Sequence, residues 1–308
     1  MSHEQEIWNK LLKLKTLPYG SVHCITDIEL EAEVKNIISK VTYEGCLNDA
    51  TVHNRFLEAY YDWITRTEVN RFTGLENFKA KAFSNGTTEA FDKFYLANKD
   101  RRLRYFNGEY MYHLVNAKKY FTHHLPIEDA PISGNDVVVF SLPFAGTGNE
   151  HPCAEKVLEV CDLMEVPVLV DCCYFGLCGD IDFNLDHPSI KAVTFSLSKT
   201  FPVQHLRIGM RLTREDDDDP LFVYNKNTYV NRLGAAVGLE LIQRFPTDYN
   251  YNVYRKTQEN LCRQLGITPS KSVIFGNSDD LYSEYNRGTP NNRLCLSKYL
   301  KSGILPNV

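Results

Sequence analysis

A chain of 308 residues with 43% hydrophobic content can bury a substantial core, as one large domain or as a large domain with a smaller companion. Its 34 Lys and Arg against 39 Asp and Glu leave a formal charge of −5, with no long basic tract or basic amphipathic stripe. Nucleic acid and membrane surfaces are therefore not expected as main partners, and small molecules are. The opening "MSHEQEIWNKLLKLK" lacks an apolar signal core, and no window approaches the roughly 18 uninterrupted apolar residues of a membrane helix, so a soluble, cytoplasmic protein is predicted. Nine cysteines are scattered without CxxC pairs or zinc-type His spacing, which predicts small buried hydrophobes in a reducing compartment and no metal site.

In chain order, helical spacing of apolar residues predicts helices over 51–65, 87–97 and 110–121. A run of β-branched residues predicts a buried strand over 136–142. "HPCAEKVLEVCDLMEV" then carries Ala154, Val157, Leu158, Val160, Cys161 and Leu163 at helical spacing. Further buried strands are expected over 166–171, 190–198 and 207–213, helices over 229–245 and 251–265, and a late strand over 293–297. Strand, helix, strand is a βαβ unit, so the fold class is α/β, a mainly parallel sheet flanked by helices, with a smaller α+β lobe. The large domain is placed at 42–240 and the smaller one at 1–41 together with 241–308.

The chemistry concentrates in "TFSLSKTFPVQHLRIGMR", where Ser196, Ser198, Lys199 and Arg207 follow an apolar run. An S-x-x-K acyl-enzyme nucleophile is one reading, but no S-D-N or K-T-G companion follows and the motif ends a strand. The preceding strand ends "VLVDCCYFG", so Asp171 emerges at a strand's carboxyl end, the edge at which open α/β sheets bind ligands. A carboxylate there asks for a cationic partner, and a pyridinium nitrogen serves. Lys199 at another strand end suits Schiff-base chemistry. Arg207 supplies guanidinium donors for a phosphate, with the Ser196 and Ser198 hydroxyls beside it. "FSNGTTEAF" adds Gly86, Thr87 and the free N–H groups of a helix start, also suited to phosphate. Tyr110 is placed to lie on a cofactor ring, and Arg293, opening the late strand, to clamp a substrate carboxylate.

These segments, "NGTTEA", "DCCY", "SLSKTFPVQHLRIG" and "RLCLS", resemble the aspartate-aminotransferase-like pyridoxal-phosphate-dependent enzymes of classes I and II, in that family's order and across about residues 43 to 297. The resemblance implies that Lys199 carries the Schiff base and shuttles the α-proton, that Asp171 keeps the pyridine nitrogen protonated, and that Tyr174 bonds the ring's phenolate oxygen. It implies phosphate contacts from Gly86, Thr87, Ser196, Ser198 and Arg207, stacking by Tyr110, and an α-carboxylate site at Arg293. It also implies a homodimer with the active site at the interface and Tyr43 reaching the partner's phosphate. The family's usual Asn-Pro-x-x-Pro-Thr-Gly is replaced by "PFAGTGNEHP", where the asparagine's place falls on Ala145, and Asn149 is the substitute expected from nearby. The chain is also about a quarter shorter than typical members, mostly in the smaller lobe.

The function expected on these grounds is amino transfer between an α-amino acid and a 2-oxo acid through Lys199, with pyridoxal 5'-phosphate as cofactor. Lyase, decarboxylase, racemase or oxidase chemistry on an amino acid uses the same constellation. A non-catalytic protein that keeps the fold is a third reading, against which the joint presence of Lys199, Asp171 and Arg207 argues.

Overall fold

The structure is a computed structural model that describes residues 3–216 and 219–306. A seven-stranded sheet forms its centre, in the order Ala80–Asn85, Ile208–Thr213, Ile190–Ser196, Val168–Cys172, Asp136–Ser141, Arg102–Tyr105 and His124–Pro126. Ile208–Thr213 runs antiparallel to both of its neighbours. The remaining pairings are parallel. Every residue of Asp136–Ser141, Val168–Cys172 and Ile208–Thr213 is buried, which explains why these strands read as unbroken apolar runs.

Register sets the site. Ser141 pairs with Asp171, Asp171 with Thr194, and Ser196 with Gly209, so Asp171 and the turn carrying Lys199 leave the sheet at one edge. A crossover helix, Ala154–Leu163, buries Ala154, Val157, Leu158 and Cys161 of the six apolar positions expected, while Val160 is half-buried and Leu163, in its last turn, is exposed.

Two large hydrophobic cores account for most of the buried apolar side chains, and smaller clusters form around Phe91 and around Leu221. The larger gathers the central strands with the helices Val52–Thr65 and Arg232–Arg244. The second joins the N-terminal helix His3–Thr16, through Leu11 and Leu14, to the helix Tyr249–Leu265 and to an antiparallel sheet of Thr268–Pro269, Phe275–Ser278 and Asn292–Cys295. The helix Ile28–Lys40 falls within the segment assigned to the smaller lobe, yet it packs Leu30, Val34 and Ile37 into the larger core. Asp27 starts it by accepting from the N–H groups of Glu29 and Leu30.

The regular helix expected over 110–121 is a wide π turn over Tyr112–Asn116 followed by a 3-10 turn over Ala117–Lys119. Its aromatic residues serve several directions at once: the His113 ring packs against Phe91 at 4.6 Å while Tyr112 stacks with Tyr95 at 6.4 Å. The strand Arg102–Tyr105 escapes a hydrophobic pattern because its arginines are paired internally. Arg104 is fully buried, donating to Asp136 at 2.8 Å and to the carbonyls of Leu125, Pro131 and Pro126. Among the described residues no helix is long and apolar enough to cross a membrane, and no three His, Cys, Asp or Glu side chains gather as a metal site.

Candidate active site

Lys199 follows the Ser196 strand end in a tight turn, and its Nζ donates to the Val22 carbonyl at 3.0 Å. It borders a cavity of about 380 Å³ whose wall also carries Tyr110, Ala145, Tyr174, Arg287 and Arg293. Its apolar wall, Leu11, Leu14, Ala145 and Tyr174, belongs to the second core, and Val22 and His23 line it as well. A second cavity of about 490 Å³ opens at the sheet edge near Arg101, His123 and Asp136, but Asp136 is already spent on Arg102 and Arg104.

Asp171 is 1% exposed. Its Oδ1 accepts from the Cys173 N–H at 3.1 Å and from Thr194 Oγ1 at 3.3 Å, whereas Oδ2 has no hydrogen-bond partner. The Nε2 of His113, itself unpartnered, stands 4.0 Å from that oxygen. Burial, with the charge of Glu109 second, pushes the Asp171 carboxyl up to about 8, and burial pulls His113 down to about 3. Near neutrality the two therefore face each other without charge, a costly arrangement for a buried acid that lacks a donor. The Cys173 thiol feels the charges of both Asp171 and Lys199, and the Tyr110 hydroxyl those of Asp171 and Arg207. Of the expected residues, Tyr110, Tyr174, Lys199 and Arg293 line the one cavity.

The phosphate candidates also converge. The helix Thr87–Ala97 begins at Gly86 with no side-chain cap, so its first N–H groups are unspent. Arg207 Nη2 donates to Thr88 Oγ1 at 2.9 Å, and its guanidinium lies so close to Gly86 that a Cβ there would be 2.2 Å from Nη2. Arg207 holds a left-handed φ of 55°, which costs a non-glycine residue about 1–2 kcal/mol. Ser196 Oγ donates to Ser198 Oγ at 2.9 Å, and a Cβ on Gly209, which pairs with Ser196, would lie 2.9 Å from Gly86 Cα. Gly86 itself sits at φ 73°, ψ 177°, a region essentially reserved for glycine. Gly86→Ala should therefore lower stability by about 1–3 kcal/mol in urea unfolding, since the methyl displaces Arg207; an unchanged unfolding midpoint would show that the turn tolerates a side chain.

Tyr174 is buried on the cavity wall with its ring edge-on to Phe275, and its hydroxyl lies against the Arg293 guanidinium. Arg293 is 3% exposed, donates Nη1 to the Ala145 carbonyl, and spreads over the Phe275 ring at 4.1 Å. One expectation falls elsewhere. Asn149 does not enter the cavity: its Oδ1 accepts from the Lys271 N–H at 2.8 Å, because the turn after Phe144 carries it toward the smaller sheet. Tyr43 opens the short helix Tyr43–Asn48, and its side chain lies outside the described residues.

Three residues of the site were not singled out from sequence. Glu109 is a buried carboxylate that accepts from the N–H groups of Ser141 and Tyr110, at 2.9 and 2.8 Å, and from Ser141 Oγ. It anchors the chain that presents Tyr110, and its one sequence signal is an acid inside an aromatic run. His113 looks like one more ring on a helix face. Arg287 lies in "NRGTPNN", which has the composition of a surface turn.

The residues present fit pyridoxal phosphate: an orphaned carboxylate oxygen for a ring N–H, an amine on the adjoining turn, and a glycine-floored cradle beside a guanidinium. No family model and no curated protein sequence matches the chain. Solved structures do. MppP soaked with the product 2-ketoarginine superposes with a TM-score of 0.66 at 10% identity, over 92% of this chain and 95% of that one. A putative amino-acid aminotransferase from Psychrobacter arcticum gives 0.64 at 15%, over 99% and 93%. Aspartate aminotransferase from Thermus thermophilus with maleate gives 0.62 at 15%, over 98% and 95%. The chain has the aspartate-aminotransferase-like fold, α/β with a mostly parallel central sheet, in which pyridoxal-phosphate-dependent aminotransferases are built.

Proposed function

We propose that the protein is a pyridoxal-phosphate-dependent aminotransferase that moves an amino group between an α-amino acid and a 2-oxo acid, with Lys199 as its Schiff-base lysine. The observation that carries this reading is the buried, unpartnered Oδ2 of Asp171 at the end of the strand next to the one that delivers the Lys199 amine. When bound, the cofactor supplies a carbonyl that condenses with amines and a ring that draws electrons from the substrate's Cα.

The protein's part is binding, orientation and proton transfer. Asp171 Oδ2 would accept from a ring N–H and keep the proton there, with the carboxylate in its charged form. Gly86, Thr87, Ser196, Ser198 and Arg207 would hold the phosphate, and Tyr110 would supply a stacking surface for the ring. Tyr174 would donate to the phenolate oxygen. Arg293 receives the α-carboxylate and so fixes which Cα bond stands near Lys199. Lys199 Nζ takes the proton from Cα; the Val22 carbonyl aims that amine into the cavity beforehand. A cytoplasmic homodimer with a shared active site belongs to the same proposal, and nine unpaired thiols suit a reducing compartment.

A second reading rests on Ala145, which stands where the family places an asparagine and offers Arg293 only a carbonyl. Loss of that amide favours a different reaction at Cα: a lyase, decarboxylase, racemase or oxidase. Incubating the cofactor-loaded protein with single amino acids separates the two. Stoichiometric conversion to pyridoxamine phosphate with release of a 2-oxo acid is expected. Ammonia or carbon dioxide release without pyridoxamine would transfer the assignment to the second reading.

A further inference from the structure

Three donors converge on one carboxylate behind the cavity. Glu109 has no exposed surface; its Oε1 accepts from the Tyr110 N–H at 2.8 Å and from the Ser141 hydroxyl, and its Oε2 accepts from the Ser141 N–H at 2.9 Å. Burial raises the carboxyl, and the same three contacts act against burial by favouring the charged form. Glu109 is not among the residues that line the cavity, so it reaches the site through its neighbours.

The contacts continue beyond Ser141. While its Oγ donates to Glu109, it accepts from the Ala145 N–H at 2.7 Å, and the Ala145 carbonyl accepts from Arg293 Nη1. Arg293 donates to Ala145, Ala145 to Ser141 and Ser141 to Glu109, so every donor in the line points toward the one buried charge. All four residues are buried, which leaves water no place to substitute for a member. The line crosses from Asn292–Cys295 in the smaller sheet to Asp136–Ser141 in the larger one, where Ser141 pairs with Asp171. Ala145 takes part through its main chain alone, in a turn that the Thr147 and Gly148 N–H groups close onto the Phe144 carbonyl.

Resting on the reading of Arg293 as the α-carboxylate site and of Tyr110 as the ring's stacking surface, we propose that Glu109 is a positioning residue with two arms. Its bond to the Tyr110 N–H fixes the stacking surface, and the line through Ser141 and Ala145 fixes the Arg293 guanidinium. One buried charge thereby registers the cofactor surface against a substrate clamp that belongs to the other sheet.

The test is calorimetric titration of the cofactor-loaded protein with butyrate, a monocarboxylate, together with absorption titration of the cofactor-free protein with pyridoxal phosphate. Ser141→Ala removes the hydroxyl and cuts only the Arg293 arm, so butyrate should bind about 3–10-fold more weakly while cofactor affinity stays within about twofold of the wild type. In turnover the same variant should raise KM for the amino acid more than it lowers kcat, because the carboxylate is held alike before and during reaction. Glu109→Ala cuts both arms and should weaken both ligands; it also strips three buried donors of their acceptor, so Ser141→Ala decides the matter if that variant does not fold. A lowered melting temperature in Ser141→Ala with wild-type butyrate affinity would reduce the line to a structural contact and overturn the proposal, as would equal weakening of butyrate and cofactor. Arg293→Gln separates the two levels. If it binds butyrate like the wild type, the reading of Arg293 as the clamp fails and takes the proposal with it; if it loses butyrate while Ser141→Ala does not, the proposal alone fails.

Discussion

Lys199→Ala should abolish the visible absorption of a lysine-bound pyridoxal cofactor and reduce amino transfer by at least ~10³-fold, because one side chain supplies both the attachment point and the proton carrier, and acid–base catalysis alone is worth about 10²–10⁴. The phosphate cradle of Gly86, Ser196, Ser198 and Arg207 is built separately and should still bind the cofactor, noncovalently. Among the described residues the Lys199 amine has one hydrogen bond, to the Val22 carbonyl, so its removal leaves little of the fold unsatisfied and the variant should melt near the wild type. Absorption spectroscopy with a thermal scan reads both effects. A variant that keeps the wild-type spectrum and turnover would mean that Lys199 is not the reacting lysine.

Asp171→Asn should act in opposite directions on function and stability. Losing the fixed negative partner of the ring nitrogen should reduce turnover on the order of 10²–10³-fold, the size of losing one preorganised polar contact. The cofactor-free protein should nonetheless become more stable at alkaline pH. Asp171 has a folded-state value near 8 against an ordinary value near 3.9, so its stabilising contribution is complete below about pH 4 and is lost as pH rises toward 8. His113 is depressed to about 3 from its ordinary 6.5, so its contribution is present above 6.5 and lost as pH falls. Between pH 6.5 and 8 the first effect acts alone, at about 1.4 kcal/mol per pH unit. The advantage of Asp171→Asn in urea unfolding should therefore grow by about 2 kcal/mol across that interval. Cofactor should reverse it, since a ring N–H restores the charged carboxylate. A pH-independent difference between wild type and variant would show that Asp171 is already ionised without the cofactor.

The central strands were legible because parallel strands covered on both faces must be apolar throughout, as "DVVVF" and "VPVLVD" are. The helices over 51–65 and 87–97 were legible because each buries one stripe. The edge strand His124–Pro126 and the polar strand Arg102–Tyr105 were not, since their arginines acquire partners only when Asp136 and distant carbonyls arrive, and His124 only when the Tyr105 hydroxyl does. The helix expected over 110–121 failed for a related reason: rings at helical spacing imply one buried face, whereas Tyr110, Tyr112 and His113 are claimed by different neighbours.

The sequence by itself determined the strand order's chemistry: an acid closing one buried strand, an amine and two hydroxyls closing another, and a guanidinium eight residues beyond the amine, all placed by local pattern. Which charges remain unpaired was decided only in three dimensions. Asn149 lies close enough in sequence to serve the site but is drawn off by the Lys271 N–H. Arg287, which looks like a surface turn, is buried at its Nε beside Arg293 without an acid. The difference is physical: burial of a strand follows from the hydrophobicity of its own residues, whereas the satisfaction of a polar group depends on partners far along the chain, and that count closes only when the whole molecule has folded.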